Sequence, residues 1–256
     1  SLYSERGLAM KTLENPSDFW QLWQSQAMRA GDLHEMAILG GKIASSLSEV
    51  FMAGYQVAMR QVFDLQGPAW AAFCVSEGAD NQPLVEFDDD HKISGVKTWV
   101  AAADVSEIFI VKVGRGPDAR YCKLGRSTEG LSIKIKAPGE FLPDLMIGQL
   151  HMAKVKPEAT LSLERSQLKA FPMAEAGAIF VTFLSFLASQ GSHSGARILS
   201  RYGEAATRHR DVKAIKAMVD EMRQSECFDE GMSMLVPNWQ QDRKLLDMYQ
   251  AMVMRV

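Results

Sequence analysis

Asp88-Asp89-Asp90-His91 sets three carboxylates and an imidazole side by side, donor types that bind divalent metals. Standing between two apolar runs, the same residues read first as a solvated hairpin turn, because Asp at a turn hydrogen-bonds its own backbone. No metal site is assigned. Arg201, Arg208, His209, Arg210 and Lys213 form a basic cluster that could meet a pyrophosphate. Such a run is first a solvated helix end. His193 reads as a helix-packing histidine before a ligand contact. Ser76 closes an apolar run and Trp99 sits near the end of another. On their own they are a satisfied hydroxyl and a core aromatic. Cys74, Cys122 and Cys227 are odd in number and far apart, which excludes a disulfide framework and a CxxC metal site. Cys74 reads as a small packed hydrophobe, and the 15 methionines as gap-fillers in helical cores.

These residues need a scaffold, and the composition supplies one. The chain has 256 residues, 47% hydrophobic and 23% charged, the values of a folded globular protein. A net charge of −3 offers no long-range attraction for nucleic acid. The most apolar stretch, Ala176 to Ala188, has 13 residues. That falls short of the roughly 20 that span a bilayer, so a buried core helix is expected and no membrane partner. Ser1 to Met10 is no signal peptide and reads as a trimmed edge. Reduced cysteines suit the cytoplasm.

Three parts follow one another: residues 1–66 helical, 67–165 rich in strands, 166–256 helical. Asn15-Pro16-Ser17 predicts a helix start with Ser17 as its cap. Asp32 predicts the cap of a second helix, which Gly40-Gly41 should break. A third helix is expected from Ser45 to Phe63, its small residues allowing close helix contact. Strands are expected at Ala69–Ser76, Pro83–Phe87, Lys92–Ala101, Glu107–Val113, Ala119–Leu124, Leu131–Ile135, Gln149–Val155 and Ala159–Leu163. Many short strands with regular turns predict a sandwich or small barrel. Met173 to Ser200 reads as one long apolar helix. A further helix follows with Val212, Ile215, Val219 and Met222 on its buried face, and then one with Leu245, Met248, Tyr249, Met252 and Val256.

The middle segment is more specific. Phe73-Cys74-Val75-Ser76-Glu77 is followed by Gly95-Val96-Lys97-Thr98-Trp99-Val100, then Asp104 and the strand Ile108-Phe109-Ile110-Val111. Leu150-His151-Met152-Ala153-Lys154-Val155-Lys156-Pro157 comes later. In this order they resemble the β domain of the acyl-CoA dehydrogenase family, over roughly Glu49 to Met222. The resemblance implies an α+β fold, with a helical N-terminal part, a central β-barrel or sandwich, and a helical C-terminal part. It also implies FAD between the β domain and the C-terminal helices, an acyl-CoA thioester against the flavin, and a homodimer or homotetramer. The positions carried over for the cofactor are Val75, Ser76, Trp99, Ala101 and Arg208. Ser76 stands where the family has a Thr hydroxyl at the pyrimidine edge. Trp99 stands where a Trp packs on the ring. Arg208 keeps part of the charge that grips FAD.

The departures are as specific as the matches. Ala101 replaces a Thr that hydrogen-bonds the flavin, and a methyl cannot. Gly78-Ala79-Asp80-Asn81-Gln82 lacks the family's Ser, and Phe141-Leu142-Pro143-Asp144-Leu145 replaces its Arg-Gly-Ser/Thr segment. The reaction removes a Cα proton, which needs a carboxylate in a site that excludes water. In one branch that carboxylate comes late in the C-terminal domain, and the chain ends before it. In another it lies on the first C-terminal helix, where Phe180 stands here. Glu175 is the nearest carboxylate, and no catalytic residue is assigned. The expected function is therefore an acyl-CoA dehydrogenase-like flavoprotein in fatty acid metabolism, oxidising a thioester at Cα–Cβ. The alternatives are an inactive relative serving as a binding or structural subunit, and the flavin monooxygenase branch of the same fold.

Overall fold

The computed structural model describes residues 16–163 and 165–256. Within them three helices precede eight strands, and four helices follow. The first helix, α1 (Pro16–Gln26), buries Phe19 and Trp23. Pro16 is already helical, so Ser17 lies inside the first turn instead of capping it; Asn15 lies outside the described residues. Asp32 caps α2 (Leu33–Ile43), its carboxylate accepting from the Glu35 N–H at 2.9 Å. Contrary to expectation, α2 runs through Gly40-Gly41. A Cβ on Gly41 would stand 2.3 Å from the Thr182 carbonyl oxygen, so the glycine is there to let two helices touch. In α3 (Leu47–Phe63) the cap is Ser46, one residue past the expected start.

The strands are β1 (Ala71–Cys74), β2 (Glu86–Phe87), β3 (Ile93–Val100), β4 (Ile108–Val113), β5 (Arg120–Gly125), β6 (Leu131–Ile135), β7 (Gly148–Val155) and β8 (Ala159–Leu161). They form two four-stranded sheets, ordered β1-β4-β5-β8 and β2-β3-β7-β6. Asp88 accepts from the N–H groups of Asp90 and Lys92, which makes Asp88–His91 the hairpin turn between β2 and β3. Alternation along the strands sends side chains to two cores. Ala72, Cys74, Phe109, Val111, Cys122 and Leu124 fill the space between the sheets. Ala71, Phe73, Ile110 and Tyr121 belong instead to the helical core. β1 is an edge strand, and α3 covers it. Gln56 both donates to and accepts from the backbone of Ala71 at 2.9 Å, and the Phe73 N–H donates to the Tyr55 hydroxyl at 2.7 Å.

The stretch expected as one helix from Met173 to Ser200 is two: α4 (Arg165–Ser189) and α5 (His193–Thr207). Gly191 takes a positive φ of 91°, and Ser192 caps α5 by accepting from the Gly195 N–H at 3.0 Å. α4 is also longer than the 13-residue apolar run. It is long and apolar enough to cross a membrane, but 83% of that window is buried in the protein, as befits a central core helix. α6 (Val212–Arg223) buries Ile215, Val219 and Met222 as expected, while Val212 faces out. In α7 (Trp239–Arg255) the expected stripe is rotated. Leu245, Leu246 and Val253 are buried, whereas Met248 is 63% and Val256 72% exposed. Trp239 stacks on Phe183, and buried Asp242 accepts from the Leu142 N–H at 2.7 Å, which sets the helix rotation. The fold is α+β, with helical parts on both sides of the sandwich in sequence.

Candidate functional site

The five positions expected to hold a cofactor fall into two places. Val75 and Ser76 follow β1 and are exposed. Trp99 lies in β3, half-buried against the helical core. The Thr98 N–H donates to the Ser76 carbonyl at 2.8 Å, which brings these three residues to one corner of the β domain. Ala101 follows β3 but is buried, and its carbonyl accepts from the Ser106 hydroxyl at 3.1 Å. Arg208 is elsewhere, at the end of α5, where its guanidinium pairs with Asp32 and Glu204.

The corner is electrically closed. Lys97 has no exposed side-chain surface, and its Nζ donates to Glu77 Oε2 at 2.7 Å and to the Val75 carbonyl at 3.4 Å. Burial lowers the lysine's pKa, and Glu77 opposes that shift. Ala101 brings no side-chain donor to a flavin, and the exposed Arg208 already pairs with Asp32 and Glu204. At Ala101 the residue present does not supply the hydrogen bond that the resemblance implies for FAD.

A different site stands where the β domain hands over to the C-terminal helices. Lys112, Tyr121 and Leu161 are in register across β4, β5 and β8, so their side chains share one face. Arg165, Leu168 and Lys169 lie on α4 at i, i+3 and i+4, one face of its first turns. Together with Gly116, Pro117, Ala119 and Arg120 of the β4–β5 connection they enclose a groove of about 910 Å3. Among the described residues its lining includes Lys112, Arg120, Arg165 and Lys169 and no acidic residue, in a chain of net charge −3. None of the four is ion-paired with another described residue. Arg120, paired with Val113, points to the opposite face of the sheet, where its guanidinium lies over the Phe87 ring, 5.6 Å from its centroid. Lys112, Arg165 and Lys169 beside Tyr121, Leu161 and Leu168 suit an anionic ligand with an apolar portion.

Behind the groove lies an aromatic wall. Tyr121 meets Phe73 at 5.9 Å between ring centroids, and Phe73 meets Phe171 at 5.0 Å and Phe63 at 4.9 Å. One turn beyond Phe171, Glu175 sits with Tyr249 hydrogen-bonded to its carboxylate and Tyr55 nearby. Burial raises Glu175 to about 7, with the Tyr249 hydrogen bond pulling the other way. Phe180, the position carried over for one branch's base, is fully buried and meets the Phe228 ring.

No family model and no curated protein sequence matches the chain. Solved structures do. An FAD-dependent dehydrogenase is similar at 13% identity over 94% of this chain and 92% of that one, with a TM-score of 0.61. Butyryl-CoA dehydrogenase from Megasphaera elsdenii is similar at 11% identity over 93% and 88%, TM-score 0.60. Acyl-CoA dehydrogenase from Geobacillus kaustophilus is similar at 12% identity over 94% and 90%, TM-score 0.57. The chain therefore has the acyl-CoA dehydrogenase fold, in strongly diverged sequence.

Sequence reasoning missed the groove. Lys112, Arg120, Arg165 and Lys169 are scattered over 58 positions and form no run. The only trace in the sequence is the i, i+4 pair Arg165 and Lys169 at a helix start, where cations oppose the helix dipole and so serve no structural end.

Proposed function

We propose that this chain binds an acyl thioester carried on a phosphate-bearing handle of the acyl-CoA type, and that it does so as an acyl-CoA dehydrogenase-like protein without the flavin step. The observation that carries this reading is the groove where, among the described residues, Lys112, Arg165 and Lys169 have no ion-pair partner and no acidic residue joins the lining. Phosphates meet Lys and Arg there, and the pantetheine arm meets Tyr121 and the leucines. The flavin corner supports the second half, because Ala101 carries a methyl where the resemblance implies a hydroxyl, and Arg208 is already paired with Asp32 and Glu204. Calorimetric titration of the purified protein with CoA tests the binding: saturable heat is expected, and its absence at low salt would sink the proposal.

One observation favours FAD-dependent oxidation at Cα–Cβ as a second reading. Glu175 is a half-buried carboxylate that burial lifts to about 7, the kind of group that abstracts a proton near neutrality. The visible absorption spectrum separates the readings. A yellow protein holding stoichiometric FAD that bleaches with an acyl-CoA supports oxidation; a colourless one that refuses added FAD supports binding alone. The buried, unpaired cysteines suit the reducing cytoplasm. Exposed Met234, Met248, Met254 and Val256 support a homodimer or homotetramer, which light scattering tests.

A further inference from the structure

We infer that Phe73 and Phe171 close the inner end of the groove, so that it selects a thioester with a short acyl group, or the bare handle, over one with a long chain. This inference rests on the reading of the groove as a site for a CoA-type handle. Tyr121 and Leu168 line the groove and pack against the helical core that holds Phe73 and Phe171. Phe171 is three residues beyond Leu168 on α4, and Phe73 touches Tyr121. Phe63 and Tyr55 back the pair, at 5.7 and 6.2 Å from the Phe171 ring. Rings at these separations are in contact, and protein interiors so packed leave no channel. The backbone of Phe73 is also held, because its N–H donates to the Tyr55 hydroxyl at 2.7 Å. A long acyl chain entering from the groove would have to displace rings that the strand and α3 together lock in place. Past them it would meet Glu175, a polar group that an alkyl chain does not solvate. A short acyl group ends before the wall and pays none of that cost.

Removing one ring opens the way. A truncated phenylalanine leaves an apolar void, and voids of about 150 Å3 in protein cores accept benzene-sized guests. Titration calorimetry with CoA, acetyl-CoA and octanoyl-CoA tests this on the wild-type chain, on Phe171→Ala and on the milder Phe73→Leu. Wild type is expected to bind CoA and acetyl-CoA within about threefold of one another and octanoyl-CoA about tenfold more weakly, and Phe171→Ala to bind octanoyl-CoA at least as tightly as CoA. Two results would overturn the inference while leaving the groove reading intact. One is a wild-type protein that binds octanoyl-CoA as tightly as CoA or tighter, showing that the chain lies along the leucines. The other is an unchanged chain-length profile in both variants, each shown to be folded by circular dichroism. If none of the three ligands binds wild type at low salt, the groove reading itself fails and the inference falls with it.

Discussion

The flavin corner and the basic groove lie on the same β domain and treat charge in opposite ways. At the corner, Lys97 is wholly buried and tied to Glu77 at 2.7 Å, with Arg115 at 3.7 Å from the same carboxylate. In the groove, Lys112, Arg120, Arg165 and Lys169 have no acidic partner among the described residues. A buried charge must be compensated within the chain, because desolvation costs several kcal/mol per ion. An exposed cation can wait for a ligand. The corner that the resemblance marks for a cofactor has therefore spent its charge on folding, whereas the groove has kept Lys112, Arg165 and Lys169 available.

The sharpest break of this contrast is Glu77→Gln, which strands the ammonium of Lys97. A loss of about 3–5 kcal/mol in urea unfolding is expected. A loss under about 1 kcal/mol would mean that the corner is wet, and that Lys97 is free to meet a ligand after all. Glu175 comes next, on the sealed side of the aromatic wall. Its carboxyl is ordinarily near 4.5 and stands at about 7 in the fold. Below pH 4.5 both folded and unfolded chains carry the proton, so it costs nothing. From pH 4.5 to 7 the unfolded chain releases the proton and the folded one keeps it, so stability falls as pH rises. Glu175→Gln removes that penalty and should stabilise the protein by up to roughly 3 kcal/mol at pH 8, and by little at pH 4. Equal effects at both pH values would show the carboxyl to be hydrated.

Smaller effects belong to the groove. Reversing two of its charges, Lys112→Glu with Lys169→Glu, should weaken CoA binding about tenfold or more, roughly 1.4 kcal/mol, with thermal unfolding nearly unchanged. Undiminished binding in the double variant would place the ligand elsewhere. The mildest test leaves the sequence alone. Raising the salt from 50 to 500 mM should lower CoA affinity by a few-fold, since exposed charges are screened over about 3–10 Å, while the buried Lys97–Glu77 pair holds the fold steady. An affinity indifferent to salt would argue that apolar contact dominates the site.

Much of the layout was legible because it is written in local periodicity. β6 spans the expected residues, α6 turns its expected stripe inward, and Asp32 caps its helix, each signal being carried by residues a few positions apart. Legibility ended where one element answers to another. Gly40-Gly41 looked like a break because glycine weakens an isolated helix, and only the Thr182 carbonyl against Gly41 explains why α2 needs it. The outward turn of Met248 follows from Trp239 and Asp242, whose partners Phe183 and Leu142 are far away in sequence.

The sequence by itself determined the order of helix, strand and helix and the sorting of strand side chains to two sides. Each depends on neighbours along the chain, whose backbone geometry fixes where side chains point. The tertiary structure alone decided that Thr98 bonds Ser76 and so brings Trp99 to its corner, that Arg208 is answered by Asp32, that Phe73 and Phe171 meet, and that Lys112, Arg165 and Lys169 share one groove. The physical reason is that charge pairing and ring contact depend on distance in space, which strand register and helix packing set and which separation along the chain does not record.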